Sequence, residues 1–431
     1  MKSPEEILQL FDEKTIDDDW SFADYNLSDT GKWTHNYHRY PAKFIPQLVE
    51  RLFDEYISNG NAHINDPFCG CGTTIVTAIS KGFEASGTDV NKIAFLMTKV
   101  KSTPIEPDYL DGKIERFLST AEDSDGSVKP LIPKRHVDRI DHWFTKHSKT
   151  ELGRILRLIH EENDEVIREF FLVAFSHVLK NCSIWSKGST KPTRDFGKKT
   201  AKPCKALKRH LRKMQRGNEA FYSIIPPEVR DDLDKYLNVK ITDARYQPVP
   251  DDSVDLIVSS SPYVTSYEYA DLHQLSTIWL DLAEDLKAYR KRFIGTSHRK
   301  HEQKKPRSEI ALNIVNKVPE DSKGTAGDIA AFFADMEGVF DESFRILKPG
   351  GRCCYVIGNT TIRGVNILNA EVFAESLQYS GFELDRIIKR EIPSKILPQK
   401  RDEKTGKFAS NDSANAEVYP VEYIVIGRKG A

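Results

Sequence analysis

The chain has 431 residues, enough for two or three packed units at roughly 150 residues each. Hydrophobic residues make up 39% and charged residues 29%, which is too apolar for a disordered chain and lacks the repeat bias of a fibre. The 63 Lys plus Arg against 64 Asp plus Glu give a formal charge of −1, so no global field draws the chain to polyanions or membranes. No stretch nears the ~20 apolar residues that span a bilayer. The opening Met1-Lys2-Ser3-Pro4-Glu5-Glu6 has no apolar run of a secretory signal. Six scattered cysteines suggest no disulfide framework, and a reducing cytoplasm is the expected compartment.

In chain order, the first strong signal is a short apolar run ending at Asn65-Asp66. A turn Pro67-Phe68-Cys69-Gly70-Cys71-Gly72 follows, and Thr73-Thr74 then opens a helical stretch. A second strand ends at Asp89, with a helix over Lys92 to Val100. From about residue 105 the α/β rhythm stops. Ile167, Phe170, Phe171, Ala174, Phe175 and Val178 recur at helical spacing and predict a packed helical insert with a plain core role for that stripe. Between Lys187 and Arg216 twelve Lys or Arg face one acid, Asp195; this net of +11 leaves −12 for the rest. The α/β pattern resumes at Asn238 to Asp243, and Val254 to Val258 reads as a buried strand. A second basic stretch, Lys287 to Arg307, precedes an amphipathic helix near Ile329 to Leu347. A Lys348-Pro349-Gly350-Gly351 turn then leads to a strand at Cys353 to Ile357. Two last strands, Glu383 to Ile392 and Glu422 to Ile426, flank a polar loop from Ser394 to Ala416. The expected division is 1–104 and 236–431 as two parts of one α/β domain, interrupted by a helical and basic insert over 105–235 that serves target recognition.

Gly70 and Gly72 permit positive φ and close approach of a ligand to bare backbone. The helix N-terminus beyond them can take a carboxylate or phosphate. Asp89, 23 residues after Asp66, stands where an acid accepts hydrogen bonds from ribose hydroxyls. The third glycine of the dinucleotide fingerprint is missing, which disfavours a dehydrogenase.

Asp66-Pro67-Phe68-Cys69-Gly70-Cys71-Gly72-Thr73-Thr74 resembles the DPFxGSGTT cofactor signature of amino-group DNA methyltransferases that use S-adenosylmethionine. The resemblance assigns the cofactor to Asp66, Phe68, Gly70, Gly72, Thr73 and Thr74, with Asp89 on its ribose. Tyr37 to Pro46 resembles the family segment over the cofactor's amino-acid end, which adds Lys43 and Phe44. Thr242-Asp243-Ala244 resembles the motif whose acid, here Asp243, reaches towards adenine. Cys71 stands where the family usually has Ser and is the weaker hydrogen-bonding group. Ser260-Ser261-Pro262-Tyr263 resembles the TSPPY catalytic motif of the cytosine-N4 branch, with Ser261 in place of its first proline.

The chemistry explains these residue types. An exocyclic amine is a poor nucleophile because its lone pair is delocalised into the ring. Acceptors on both N–H groups free that pair for in-line attack on a sulfonium methyl. The family takes them from the first motif residue's side chain and the second's carbonyl, while the aromatic residue stacks on an extruded base. By position these are Ser260, Ser261 and Tyr263.

The resemblance therefore implies a Rossmann-like sheet of seven strands with the last pair antiparallel, and methyl transfer to cytosine N4 in double-stranded DNA. Adenine N6, RNA, or a catalytically weak DNA-binding module of a defence system remain the alternatives. Lys187, Lys191, Arg194, Lys198, Lys199, Lys208 and Arg209 are the candidate DNA contacts. A cognate restriction endonuclease or other defence-system proteins are the implied partners. His273 reads as a structural histidine. Cys69 and Cys71 lack a matching cluster at zinc spacing, and no metal is expected.

Overall fold

The computed structural model describes residues 1–40, 43–58, 60–123, 128–189, 192–264, 269–298, 304–392, 400–401, 416–417 and 421–430. Its main sheet has seven strands: β1 His63–Asp66, β2 Glu84–Thr88, β3 Leu237–Lys240, β4 Val254–Ser260, β5 Leu347–Ile357, β6 Glu383–Glu391 and β7 Val421–Arg428. Their order is β3-β2-β1-β4-β5-β7-β6. Strands β1 to β5 pair in parallel, and β7 runs antiparallel between β5 and β6. The Rossmann-like α/β sheet expected from the sequence is thus present, antiparallel final pair included.

The first half supplies, around the site, α1 Pro46–Tyr56, α2 Thr73–Ser80 and α3 Lys92–Ser102. The insert supplies α4 Pro107–Asp123, α5 Lys146–His160, α6 Glu165–Cys182 and α7 Pro203–Ile224. After it come α8 Lys323–Ile346 and α9 Asn369–Tyr379. Strand β4 is buried on both faces, which is why its sequence is nearly continuous in apolar residues. Leu256 and Val258 pack with Leu48, Ile75 and Val76 of α1 and α2. Ile257 packs with Phe340 of α8 and Phe373 of α9.

The insert is not a loose appendage. Its stripe residues Phe170, Phe171 and Phe175 are fully buried beside Ile93 and Met97 of α3 and Leu275 and Trp279 further on. Phe221, near the end of α7, packs instead with β1 and α2. This shared core fixes the insert against the sheet edge where the site lies.

Three details refine the sequence reading. Strand β3 stops at Lys240, so Thr242 and Asp243 stand in the loop beyond it. Residues 348–351 loop out of the ladder, since Val254 pairs with Leu347 and Leu256 with Arg352. A short hairpin, Thr360–Ile362 with Val365–Ile367, had no sequence signal that was read. Most of the polar loop from Ser394 to Ala416 lies outside the described residues.

Candidate active site and cofactor cleft

The strand order reverses between β1 and β4, and ligands of open α/β sheets bind beyond the carboxyl ends of such a pair. The glycine turn leaves β1 there, and the Ser260 to Tyr263 segment leaves β4 beside it. Ile64 pairs with Leu256 and Asn65 with Ile257, a register that carries Asp66 to the level of Ser259. The Ser259 hydroxyl donates to Asp66 Oδ1 at 2.6 Å and ties the two segments together. Asp66 also accepts from the Phe68 N–H at 3.0 Å. Burial nevertheless pushes its carboxyl up to about 6.

Gly70 has φ +51°, and its N–H donates to Asp89 Oδ2 at 3.0 Å. A Cβ there would sit 3.4 Å from the Tyr40 ring, which closes one side of the cleft. Gly72 has φ +80°, and a Cβ on it would press to 2.9 Å from Thr98 Oγ1. Neither position tolerates a side chain without strain. Behind the turn, the buried Lys101 ammonium donates to the Cys71 carbonyl at 2.9 Å, and burial lowers it to about 8. The Cys71 thiol lies 3.8 Å from Thr73 Oγ1, so the family's serine contact is replaced by a weaker sulfur one. Thr74 is wholly buried and donates to the Val258 carbonyl at 3.0 Å.

A cleft of about 810 Å³, counted to its open mouth, joins these segments. Lys43, Phe44, Asp66, Phe68, Gly70, Thr73, Asp89 and Asp243 line it, together with Ser260 and Pro262. Gly72 and Thr74 shape the turn from behind and do not line the cleft. Ser261 is buried, and its hydroxyl has no hydrogen-bond partner among the described residues. Tyr263 stands outside the lining: its hydroxyl would be 3.3 Å from a Cβ at Gly358, the residue after β5. Residues 260 and 263 thus face two adjoining spaces, the cleft and the end of β5.

Sequence reasoning gave no role to Lys101, Arg292, Phe293 or Ile294. The last three line the cleft from a stretch whose only visible feature was its charge. Tyr269 also lines it and stacks on Tyr40 with ring centres 6.1 Å apart. His273 stacks on the same Tyr40 ring at 5.1 Å; it is buried, and desolvation lowers it to about 4.

The cleft has the chemistry of a nucleoside site. Asp89 accepts from the Gly70 and Asn91 N–H groups and is pushed up to about 7 by burial. At the other end, Asp243 takes the Arg245 guanidinium on both oxygens at 2.9 and 2.7 Å. Phe68, Val90, Phe293 and Ile294 offer apolar walls between the two acids. These residues fit S-adenosylmethionine: an acceptor for ribose hydroxyls, apolar faces for a purine, and a bare glycine turn for the amino-acid part.

A family model of N6/N4 methyltransferases, described as DNA methylase, matches residues 4–99, which include the whole glycine turn and Asp89. The Type II methyltransferase M.MvaI of Kocuria varians is 26% identical over 420 residues, covering 90% of each chain. These two likenesses support the DNA amino-methyltransferase family for this chain. The Type II methyltransferase M.BsoBI of Geobacillus stearothermophilus is 22% identical, covering 81% of this chain and 79% of its own. A solved SAM-dependent methyltransferase from Methanosarcina mazei is 10% identical, covers 88% of this chain and 97% of its own, and has a TM-score of 0.31.

The candidate DNA contacts divide. Lys187, Arg194, Lys199 and Arg209 are exposed. Lys208 is exposed too but paired with Glu122 at 2.6 Å. Lys198 turns inward: its ammonium donates to the Lys180 and Trp185 carbonyls, and burial lowers it to about 8. Its place is structural, a correction to the reading as a phosphate contact, because a cation committed to two carbonyls is not presented to a ligand. Lys191 lies outside the described residues. In the second basic stretch, Arg290 pairs with Asp271, Lys304 with Asp335, and Arg307 with Glu337 and Asp341. Among the described residues no three His, Cys, Asp or Glu form a group that could hold a metal, and no helix is long and apolar enough to cross a membrane.

Proposed function

We propose that this DNA methyltransferase transfers a methyl group from S-adenosylmethionine to the exocyclic N4 amine of cytosine at a specific site in duplex DNA. The observation that carries the reading is the single cleft lined by both Gly70 and Ser260. The cofactor, when bound, supplies an electrophilic methyl on a positively charged sulfur. Asp89 accepts from its ribose hydroxyls, and Asp243 keeps lone pairs for the adenine amine. Phe68 and Phe293 exclude water from its rings. Lys43 and Phe44 close over its amino-acid end beside Tyr40.

The target amine donates to the Ser260 hydroxyl and to the Ser261 carbonyl. These two acceptors draw its hydrogens out of the ring plane and expose the lone pair. Loss of the family's proline at 261 leaves that carbonyl in place, since the acceptor is backbone. Tyr263 offers its ring to the extruded base, because the amine is out of reach inside a duplex. An uncharged hydroxyl at 260, where adenine-modifying relatives of the motif carry Asp or Asn, supports cytosine. Lys187, Arg194, Lys199 and Arg209 meet phosphates. The implied partner is a cognate endonuclease that cuts the unmodified site, and the cytoplasm is the implied compartment.

Sequencing modified bases in genomes of a host with and without this gene tests the reading. It expects N4-methylcytosine in one sequence context that vanishes with the gene. Modified adenine in its place, or no gene-dependent mark, would overturn it.

A further inference from the structure

The basic segment before α7 contains an aromatic that nothing in the cofactor chemistry explains. Phe196 is 75% exposed, in the middle of the +11 run. A lone exposed phenylalanine is ordinary on a mobile loop. This one sits on an anchored turn. Trp185 and Arg194 form an antiparallel bridge, with Ser186 N–H donating to the Thr193 carbonyl at 2.9 Å and Asp195 N–H to the Ile184 carbonyl at 2.8 Å. Asp195 Oδ1 accepts from the Gly197 N–H at 3.0 Å and closes a turn just beyond the bridge. Underneath, Trp185 is buried and stacked on Trp143, and the Lys198 ammonium bolts the outgoing strand to the Lys180 and Trp185 carbonyls. A turn with this many fixed contacts holds Phe196 out in water, with the Arg194 guanidinium 4.4 Å over the ring.

The same segment borders a polar pocket. Arg139, Arg194 and Arg290 line it with Asp271 and Gln274. Arg290 is paired with Asp271. Arg194 donates to His142 Nδ1 at 2.9 Å, which leaves that imidazole neutral, and Arg139 has no carboxylate partner among the described residues. Two cations thus converge with no acid of their own. Asp271 lies two residues from Tyr269, which lines the cofactor cleft, so the pocket and the cleft flank one short helix, Tyr269–Leu272.

We propose that the turn from Arg194 to Lys198 engages duplex DNA at the target step, Arg139 and Arg194 taking a backbone phosphate while Phe196 stacks on the base pair left exposed when the target base is extruded. This rests on the reading of the chain as a DNA methyltransferase. The charge selects a polyanion, and a flat apolar ring on a rigid stem suits a base face rather than a protein groove. Stacking compensates for lost base–base contacts and carries no sequence information itself.

The test uses the full-length enzyme, radiolabelled cofactor and a duplex carrying the site mapped for the wild type, with 2-aminopurine beside the target base. Phe196→Ala is expected to lower methyl transfer by roughly 10-fold and to abolish most of the 2-aminopurine emission rise, while cofactor affinity holds. Phe196→Trp should restore both. Arg139→Ala with Arg194→Ala should weaken DNA retention and flatten its salt dependence by about two counterions. Wild-type transfer and emission in Phe196→Ala would overturn the proposal alone. No transfer by the wild type to any DNA would overturn the methyltransferase reading, and the proposal for this turn with it.

Discussion

The cofactor turn and the basic segment are both loops with a fixed shape, yet they are built in opposite ways. The turn from Asp66 to Thr74 is buried, and its polar groups are spent on one another: Ser259 on Asp66, Gly70 on Asp89, Lys101 on Cys71. The basic segment around Arg194 is fixed by a few hidden contacts, the buried Trp185 and the capped Lys198 among them, and leaves Phe196 and most of its charge in water. A site that must hold a small, constant ligand is pre-organised by burial. One that must meet a large polyanion keeps its charges solvated until contact. Substitutions in the turn should therefore act on cofactor affinity and stability, and substitutions in the basic segment on DNA and salt dependence.

The largest effect separates both regions from the chemistry. Ser260→Ala should cut methyl transfer by roughly 100-fold, the size of a lost acceptor at a reacting centre, with cofactor affinity by calorimetry within about 2-fold of wild type. A matching loss of cofactor affinity would make Ser260 part of the cofactor cradle instead. Asp89→Ala should do the reverse, weakening cofactor binding by about 10- to 100-fold, as loss of a charged hydrogen-bond acceptor does.

Asp89 also gives a pH signature. Its carboxyl is raised to about 7, so affinity that depends on the ionised form should rise as pH passes upward through 7, and Asp89→Asn should flatten that rise. Folding stability runs the other way. A carboxyl raised in the folded state contributes most below its unfolded value near 4, and the cofactor-free protein should lose stability from there towards 7. Thermal unfolding of the cofactor-free protein across that range checks the sign.

Ser259→Ala, which removes the tie to Asp66, should cost about 1 to 2 kcal/mol in denaturant unfolding and leave a smaller mark on turnover than Ser260→Ala. Smallest of all, Lys199→Ala and Arg209→Ala should each reduce the salt slope of DNA binding by about one, whereas Lys198→Ala should lower stability with little change in that slope. A full unit of slope lost at Lys198 would break the contrast between the two loops.

What the sequence disclosed follows the same divide. The turn was legible because backbone geometry leaves few residue choices: only glycine suits φ +51° against Tyr40 and φ +80° against Thr98. The sheet was legible because its central strand β4 is nearly continuous in apolar residues. Arg292, Phe293 and Ile294 were hidden, since reaching the cleft from residue 292 depends on tertiary packing, and the local pattern showed only a run of cations. Lys198 and Lys199 are adjacent and identical in type, yet one is capped by carbonyls and the other is exposed. Composition counts both as charge and cannot tell a bolt from a handle. Ser259 was visible as part of a serine run, but its bond to Asp66 required the β1–β4 register.

The most direct test of the account is to let the purified protein transfer labelled methyl groups to unmodified duplex DNA, digest the product to nucleosides, and identify the labelled one by mass. The account predicts label in N4-methylcytidine's deoxy form, reduced by roughly 100-fold in Ser260→Ala. Label in N6-methyldeoxyadenosine, or none at all with cofactor bound, would contradict it.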